Sequence, residues 1–217
     1  MIDLRLNAIV DPERANGRSL ADLTRMVVAG GATLIQLRDK LGSTRRMIEE
    51  ARAIKAVLAG TGVPLVINDR VDVALAAQAD GVHVGQDDMR VEDARRLLGP
   101  GAIIGLSIKT VALANAAPLE HLDYVGVGGV YATTSKDNPN TPIGVNGLRD
   151  IVAAFRARQR DLTICGIAGI EAGNAAPVIA AGADGVAVIS ALSMKSDPQA
   201  AARQLRGVVD AALQARS

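Results

Sequence analysis

The sequence predicts a (β/α)8 barrel, the TIM-barrel fold, with its functional site at the C-terminal ends of the strands. Short apolar runs alternate with longer amphipathic segments along the 217 residues. Eight such runs are present, the number of strands that closes this barrel. A helix end, a small-residue turn and a strand follow one another in AGGATLIQL, AQADGVHVG and AAGADGVAVIS. A doubly wound open sheet is the alternative architecture.

The predicted strands are short apolar runs that end at polar residues or glycine. They are Leu6–Val10, Thr33–Leu37, Leu65–Asn68, Gly81–Gly85, Ile103–Ser107, Tyr124–Val127, Thr163–Ile167 and Gly185–Ser190.

The clearest helix limits come from capping residues. One helix is expected to begin after Ser19 and to stop at Gly30–Gly31, and a second to begin after Ser43 and to stop at Gly60. The segments NGLRDIVAAFRARQR and DPQAAARQLRGVVDAALQ are also amphipathic, and Pro198 suits the first turn of the latter.

Composition narrows the class of protein. About half the residues are hydrophobic, and no linker is evident, so residues 1–217 are expected to form a single domain. A net charge of +1 and scarce aromatics give no attraction for nucleic acid or a membrane surface. Cys165 is alone, which excludes an internal disulfide. With no signal peptide or apolar span, a soluble cytoplasmic protein is expected.

Polar side chains and glycines follow the predicted strands, where a barrel carries its site. Each alone is most simply a solvated loop residue, but together they indicate one site. They are Gln36, Arg38 and Lys40; Asn68, Asp69 and Arg70; Gln86, Asp87 and Asp88; Ser107 and Lys109; Thr133, Thr134, Ser135 and Lys136; Gly166–Gly169; and Ile189 and Ser190.

The carboxylates suggest a metal. Asp69 and Asp88 follow adjacent strands and are expected to face each other. Oxygen ligands without histidine or cysteine favour Mg²⁺, which takes one or two carboxylates plus substrate phosphate oxygens and water. A carboxylate pair for glycoside chemistry is an alternative. Asp39 and Asp87 are alternatively cap or surface acids, and the pattern does not rank Asp87 against Asp88.

The cations suggest an anionic ligand. Arg38, Lys40 and Lys136 would converge on a polyphosphate, or alternatively form ion pairs with the aspartates. The glycines of Gly166–Ile170 and the VIS that closes the eighth strand suit a second phosphate, although tight strand–turn–helix packing also requires glycine.

The sequence leaves the roles of His83 and one long loop open, and it assigns no chemistry to Cys165 or His121. His83, inside the fourth strand, is a core histidine or a catalytic one. Cys165 is expected to be buried and inert, and His121 to lie on the surface. The loop Ala132–Gly144 is either a lid over the barrel mouth or a surface insertion.

The motifs QLRDK, INDR, DGVHVGQDD, GLS, GGVYATTSK, GIAGI and DGVAVIS occur in this order. In this the chain resembles the thiamine-phosphate synthases (thiamine-phosphate pyrophosphorylases), over about residues 6–195. The resemblance implies an Mg²⁺-dependent transferase of thiamine biosynthesis, with phosphorylated small-molecule substrates. It would condense 4-amino-2-methyl-5-(diphosphooxymethyl)pyrimidine with a thiazole phosphate, giving thiamine phosphate and diphosphate. Whether it is a homo-oligomer stays open.

The resemblance also implies residue roles. Gln36, Leu37, Arg38, Asp39, Lys40, Asn68, Ser107 and Lys136 would bind the pyrimidine diphosphate. Asp69 and Asp88 would hold Mg²⁺. Thr133, Thr134, Ser135, Gly169, Ile189 and Ser190 would bind the thiazole phosphate. Arg38, Lys40 and Lys136 would stabilise the leaving group.

The chain departs from the family pattern without losing a charged group. Gly129 and Ala132 stand in place of prolines, Ser135 in place of threonine and Ala168 in place of glycine. Three other functions stay as alternatives: a thiazole tautomerase-like isomerase, a non-catalytic phospho-ligand sensor, and another phosphate-binding barrel isomerase.

Overall fold

The strands form one closed parallel sheet in which the order in space follows the order in the chain. The computed structural model describes residues 2–134 and 141–216, and within them β8 pairs with β1 to complete the ring. The strands are β1 Leu6–Val10, β2 Leu34–Leu37, β3 Leu65–Asn68, β4 Gly81–Val84, β5 Ile103–Ile108, β6 Tyr124–Gly128, β7 Thr163–Ile167 and β8 Gly185–Val188. Closure confirms the predicted barrel and excludes the open sheet.

Helices follow the strands and pack outside them. They are α1 Leu20–Ala29, α2 Thr44–Leu58, α3 Val71–Ala77, α4 Val91–Leu98, α5 Val111–Ala116, α6 Gly144–Arg158, α7 Ala175–Ala180, α8 Ser190–Ser193 and α9 Pro198–Arg216. The predicted caps are present, since the hydroxyls of Ser19 and Ser43 accept from the amides of Asp22 and Arg46. Of the helices built from described residues, none is long and apolar enough to cross a membrane.

Alternation along the strands divides the core into two layers. In β3, Leu65 and Ile67 pack against the helices, whereas Val66 points into the barrel. The interior is filled by side chains such as Leu34, Val66 and Tyr124, so the barrel is a packed core and not a pore. A ligand site therefore has to lie above this core, at one mouth of the barrel.

Five predicted strand limits differ from the structure: β4 ends one residue earlier than expected, β5 and β6 each end one residue later, and the start of β2 and the end of β8 also differ. Thr33 precedes β2, and its hydroxyl bonds to the backbone of Leu6. At the other end of the chain β8 stops at Val188, and Ser190 begins α8. Both residues are polar, and local hydrogen bonding competes with strand continuation at such positions.

Carboxylates tie the even-numbered strands to the strands before them at the amino-terminal face. Asp80, Asp123 and Asp184 each stand immediately before an even-numbered strand. Each carboxylate accepts a backbone N–H near the start of the preceding strand, at 2.7 Å from Leu65, 2.8 Å from Ile104 and 2.9 Å from Ile164 respectively. We call these contacts the strand staples. At β1 and β2 the Thr33 hydroxyl takes the same place.

Each of these three aspartates also forms an ion pair with a lysine or arginine of the helix that precedes its pair of strands. Lys55 of α2 reaches Asp80 at 3.4 Å, Arg95 of α4 reaches Asp123 at 2.7 Å, and Arg156 of α6 reaches Asp184 at 2.7 Å. The barrel is thus a ring of four two-stranded units, and three of the four junctions between units carry such a charged contact.

Candidate active site

Polar side chains replace apolar ones inside the barrel toward the carboxyl ends of β2 to β5. Gln36 is 3% exposed and pairs in register with Ile9 and Val66, two members of the interior core. Asn68 pairs with His83 on the neighbouring strand. These residues form the floor of the mouth, so Gln36 and Asn68 lie where the sequence predicted a polar site.

Arg38 and Lys40 lie in the loop after β2, and each is ion-paired. Arg38 donates to the carboxylate of Asp11, which is buried at the end of β1, and Lys40 donates to the carboxylate of Asp69. Both cations therefore form the ion pairs that the sequence offered as the alternative to a polyphosphate site. Asp11 was missed by the sequence reasoning, although it also directly follows a strand.

Two neighbours in the same loop have different surroundings. The carboxylate of Asp39 accepts from the amides of Leu41 and Gly42, at 3.0 and 2.7 Å, and so stabilises the turn of the loop. The Leu37 side chain is buried in the layer between strands and helices. Only the main chain of Leu37 is left to face a ligand.

Asp69 and Asp88 come together as the sequence predicted. Asp69 has a left-handed φ of +64°, and its amide donates to the carbonyl of His83. Burial raises the pKa of Asp69, and the adjoining Asp88 carboxyl group raises it further, against the opposing effect of Lys40. Asp88 itself accepts from the amide of Gly85 at 2.7 Å.

The structure also separates Asp88 from its neighbour. Asp87 and Asp88 are both exposed, but of the two it is Asp88 that adjoins Asp69. Residues 2–134 and 141–216 contain no cluster of three or more histidine, cysteine, aspartate or glutamate side chains arranged to hold a metal ion. Two facing carboxylates, with the remaining positions left to water and phosphate oxygens, nevertheless match the protein share of many Mg²⁺ sites.

A separate cavity of about 410 Å³ opens on the other side of the mouth, between the ends of β6, β7 and β8. Five of the six residues assigned to the thiazole phosphate line it, namely Thr133, Thr134, Gly169, Ile189 and Ser190. Ser135 and Lys136 lie outside the described residues.

The turn after β7 explains the glycine in GIAGI. Gly169 has a φ of +66°, and a Cβ added there would lie 2.3 Å from the carbonyl oxygen of Ala132. Ala168 has a φ of +80°, a region that glycine occupies without steric cost, whereas alanine does not. The departure from the family glycine therefore introduces local backbone strain beside the cavity.

Sequence reasoning missed other residues of this cavity. Lys195 and Glu171 line it, and Lys195 brings a positive charge to its rim. Arg18 donates to the carbonyls of Ser193 and Lys195, at 3.2 and 3.1 Å, and so holds the chain after α8. Lys195 lies seven residues beyond the end of β8, and no strand-end rule points that far.

The fold and the site together define the class of protein to which this chain belongs. A closed (β/α)8 barrel with charged side chains gathered above the carboxyl ends of its strands has the architecture of a barrel enzyme that acts on small molecules.

Comparison with known proteins narrows this class to one family. The family model described as thiamine monophosphate synthase matches residues 6–192, and the chain belongs to that family. A thiamine-phosphate synthase of Agrobacterium fabrum is 51% identical over 99% of this chain and 98% of its own length. One of Chloroflexus aurantiacus is 48% identical over 96% of this chain and 94% of its own length. The solved structure of a thiamine phosphate pyrophosphorylase from Pyrococcus furiosus superposes with a TM-score of 0.84 at 36% identity, covering 97% of this chain and 98% of that one.

Proposed function

We propose that this chain is a transferase of thiamine biosynthesis that joins hydroxymethylpyrimidine diphosphate to thiazole phosphate. The observation that carries the proposal is the division of one barrel mouth into two neighbouring sites. One presents Arg38, Lys40 and the Asp69–Asp88 pair, and the other is the cavity between β6 and β8. Family membership supports the same assignment.

The reaction exchanges one bond for another. The methylene carbon–oxygen bond of the pyrimidine diphosphate breaks, and its electron pair leaves with the diphosphate. The lone pair of the neutral thiazole ring nitrogen forms the new carbon–nitrogen bond. Because that nitrogen carries no proton, no general base is required.

The residues of the chain would act by position and charge. Arg38 and Lys40 would bind diphosphate oxygens and stabilise the negative charge that grows on them. Lys40 can reorient at small cost, because its side chain is 48% exposed although it is paired with Asp69. The cavity would hold the thiazole phosphate beside the pyrimidine, so that the two reacting atoms meet.

We further propose that Asp69 and Asp88 bind Mg²⁺. Two adjoining carboxylates, one of them with a raised pKa, repel each other, and a divalent cation between them removes that repulsion. When bound, the ion would neutralise charge on the departing diphosphate.

The test is a turnover assay with both substrates, in Mg²⁺ and after chelation. We expect thiamine phosphate and diphosphate in equal amounts, with the rate lost on chelation and restored by added Mg²⁺. Thiazole phosphate binding without product would instead favour an isomerase or a sensor. Full turnover after chelation would support the transferase function and would contradict the requirement for Mg²⁺.

A further inference from the structure

Three polar side chains form a connected row across β4, β5 and β6, beneath the first of the two sites. His83 Nδ1 lies 3.0 Å from the hydroxyl of Tyr124, and His83 Nε2 lies 2.9 Å from the hydroxyl of Ser107. Tyr124 is fully buried and His83 is 6% exposed, whereas Ser107 is partly exposed. The row therefore runs from the sealed core toward the mouth.

The barrel provides space for this row by using glycine on the neighbouring strands. A Cβ on Gly105 would lie 2.2 Å from the ring of Tyr124 and 2.6 Å from His83 Nδ1. A Cβ on Gly126 would lie 3.1 Å from the His83 ring. Real Cβ atoms do not approach so closely at Gly105, so the histidine and tyrosine rings fill places where β5 and β6 carry no side chain.

The hydrogen-bond partners of Tyr124 determine which group donates and which accepts at each step of the row, which we call its direction. The Tyr124 hydroxyl has His83 Nδ1 as its only hydrogen-bond partner within residues 2–134 and 141–216. Burial raises the pKa of Tyr124 well above its ordinary value, so the phenol keeps its proton. A buried O–H that donates to nothing is costly, so Tyr124 donates to Nδ1.

The remaining protons follow from the chemistry of imidazole. A neutral ring that accepts at Nδ1 carries its proton on Nε2, and Nε2–H then donates to the Ser107 oxygen. The Ser107 hydroxyl proton is then available to an acceptor other than His83. A doubly protonated ring would leave the buried Tyr124 proton without an acceptor.

We propose that Tyr124 and His83 are positioning residues that set the Ser107 hydroxyl as a hydrogen-bond donor to an acceptor atom of the pyrimidine diphosphate. The identity of this ligand rests on the proposed function, whereas the direction of the row does not. This gives His83 a role through Ser107 and not in proton transfer.

The direct test is nitrogen NMR of the ligand-free protein labelled in its histidines. The chain has only two, and the His121→Gln variant assigns the signals of His83. At about pH 8, above the ordinary histidine pKa, we expect the neutral Nε2–H tautomer. The Nδ1–H tautomer or a doubly protonated ring would overturn the proposal. No residue of the row is changed in this experiment.

Tyr124→Phe removes the donor and little else. We expect the His83 signals to shift toward the Nδ1–H form, since Nδ1 no longer accepts a bond. Tyr131→Phe is the matched control, because the Tyr131 hydroxyl donates to the Asn174 carbonyl at 3.2 Å, away from the row. An unchanged His83 tautomer in Tyr124→Phe would contradict the proposal.

Calorimetry with hydroxymethylpyrimidine diphosphate alone tests the functional part. We expect Tyr124→Phe to weaken binding roughly three- to tenfold, as for one lost hydrogen bond, and Ser107→Ala to weaken it at least as much. Adding Tyr124→Phe to Ser107→Ala should cost nothing more, and thiazole phosphate should bind equally to all three variants. Additive losses would show that Tyr124 acts independently of Ser107. If the wild type binds no pyrimidine diphosphate, the proposed function fails, while the tautomer still decides the direction of the row.

Discussion

The carboxylate of Asp69 lies against that of Asp88 while burial withdraws it from water. Such an arrangement disfavours negative charge on Asp69 and favours the binding of a cation between the two carboxylates. Binding groups of this kind are often held at a cost to stability.

We therefore predict opposite effects of Asp69→Asn on activity and stability. Turnover should fall at least about 100-fold, because a ligand of the proposed metal is lost. The ligand-free protein should unfold at equal or higher urea concentration, by up to about 1 kcal/mol, because a poorly solvated charge is removed. Asp87→Asn makes the same charge change at the exposed neighbour and should leave both quantities near those of the wild type. Equal losses of activity in the two variants would refute the pairing of Asp69 with Asp88.

Arg38 is expected to contribute to both stability and binding. Arg38→Ala leaves the buried Asp11 carboxylate without its cation, which should cost roughly 3 kcal/mol in urea unfolding. Adding Asp11→Asn should restore much of the lost stability, because the side-chain oxygen at position 11 can still accept a hydrogen bond from the backbone amide of Glu13. Affinity for pyrimidine diphosphate should stay low in the double variant, while thiazole phosphate binds normally. If the double variant regained affinity for pyrimidine diphosphate together with its stability, Arg38 would have only a structural role.

The sequence alone predicted the position of a single residue where that residue lies at or near the end of a strand. Asp69, Asp88 and Gln36 lie where the end of a parallel strand predicts, because the barrel fixes that point in space. The partners of Arg38 and the orientation of Asp39 depend on loop conformation, which hydrophobic periodicity does not encode. The direction of the His83 side chain depends on the absence of side chains at Gly105 and Gly126, a relation between three strands.

At the scale of elements, the three strand staples fix the turns before β4, β6 and β8 to the preceding strand. Each aspartate both ends the turn and holds the preceding strand, so a buried amide near the strand start is satisfied. The recurring signature before β2, β4 and β8 indicated these turns in the sequence, whereas β6 follows LEHLD and lacks the small residues of the pattern. Only the structure shows that Asp123 occupies the equivalent place.

Asp123→Ala should destabilise the protein without affecting its chemistry. The Ile104 amide and Arg95 both lose an acceptor, and we expect a loss of about 1–2 kcal/mol in urea unfolding. Asp93→Ala, which removes only an exposed pair with Arg96, should cost less than about 0.5 kcal/mol. Turnover per folded molecule should be unchanged in both, because Asp123 lies at the face opposite the candidate site. A specific loss of turnover in Asp123→Ala would show that the two faces are coupled.

At the scale of the whole molecule, the single cysteine reports on the integrity of the barrel. Cys165 points into the sealed interior, where burial raises its pKa to about 12. Near pH 8 the reactive thiolate is then only about one part in ten thousand, and the thiol is also inaccessible. This agrees with the sequence-based expectation that Cys165 is buried.

We predict that an aromatic disulfide reagent labels Cys165 only as fast as the barrel opens. Labelling should be slow in buffer, should become fast across the urea unfolding transition, and should be immediate in the denatured chain. Arg38→Ala and Asp123→Ala should speed it up by about tenfold for each 1.4 kcal/mol of stability that they remove. Rapid labelling of the folded wild type would mean that the interior near β7 opens locally.

The ring of two-stranded units has a consequence for recombination between relatives. Crossovers placed after α2, α4 or α6 leave each strand staple inside a segment from one parent, whereas a crossover between β3 and β4 separates Asp80 from Leu65. The cations Lys55, Arg95 and Arg156 come from the helix before each border, so both parents need a positive charge there. Chimeras assembled by quarters of the barrel should therefore fold more often than chimeras cut within a quarter. The barrel can then be exchanged in blocks while the residues above its strand ends are varied separately.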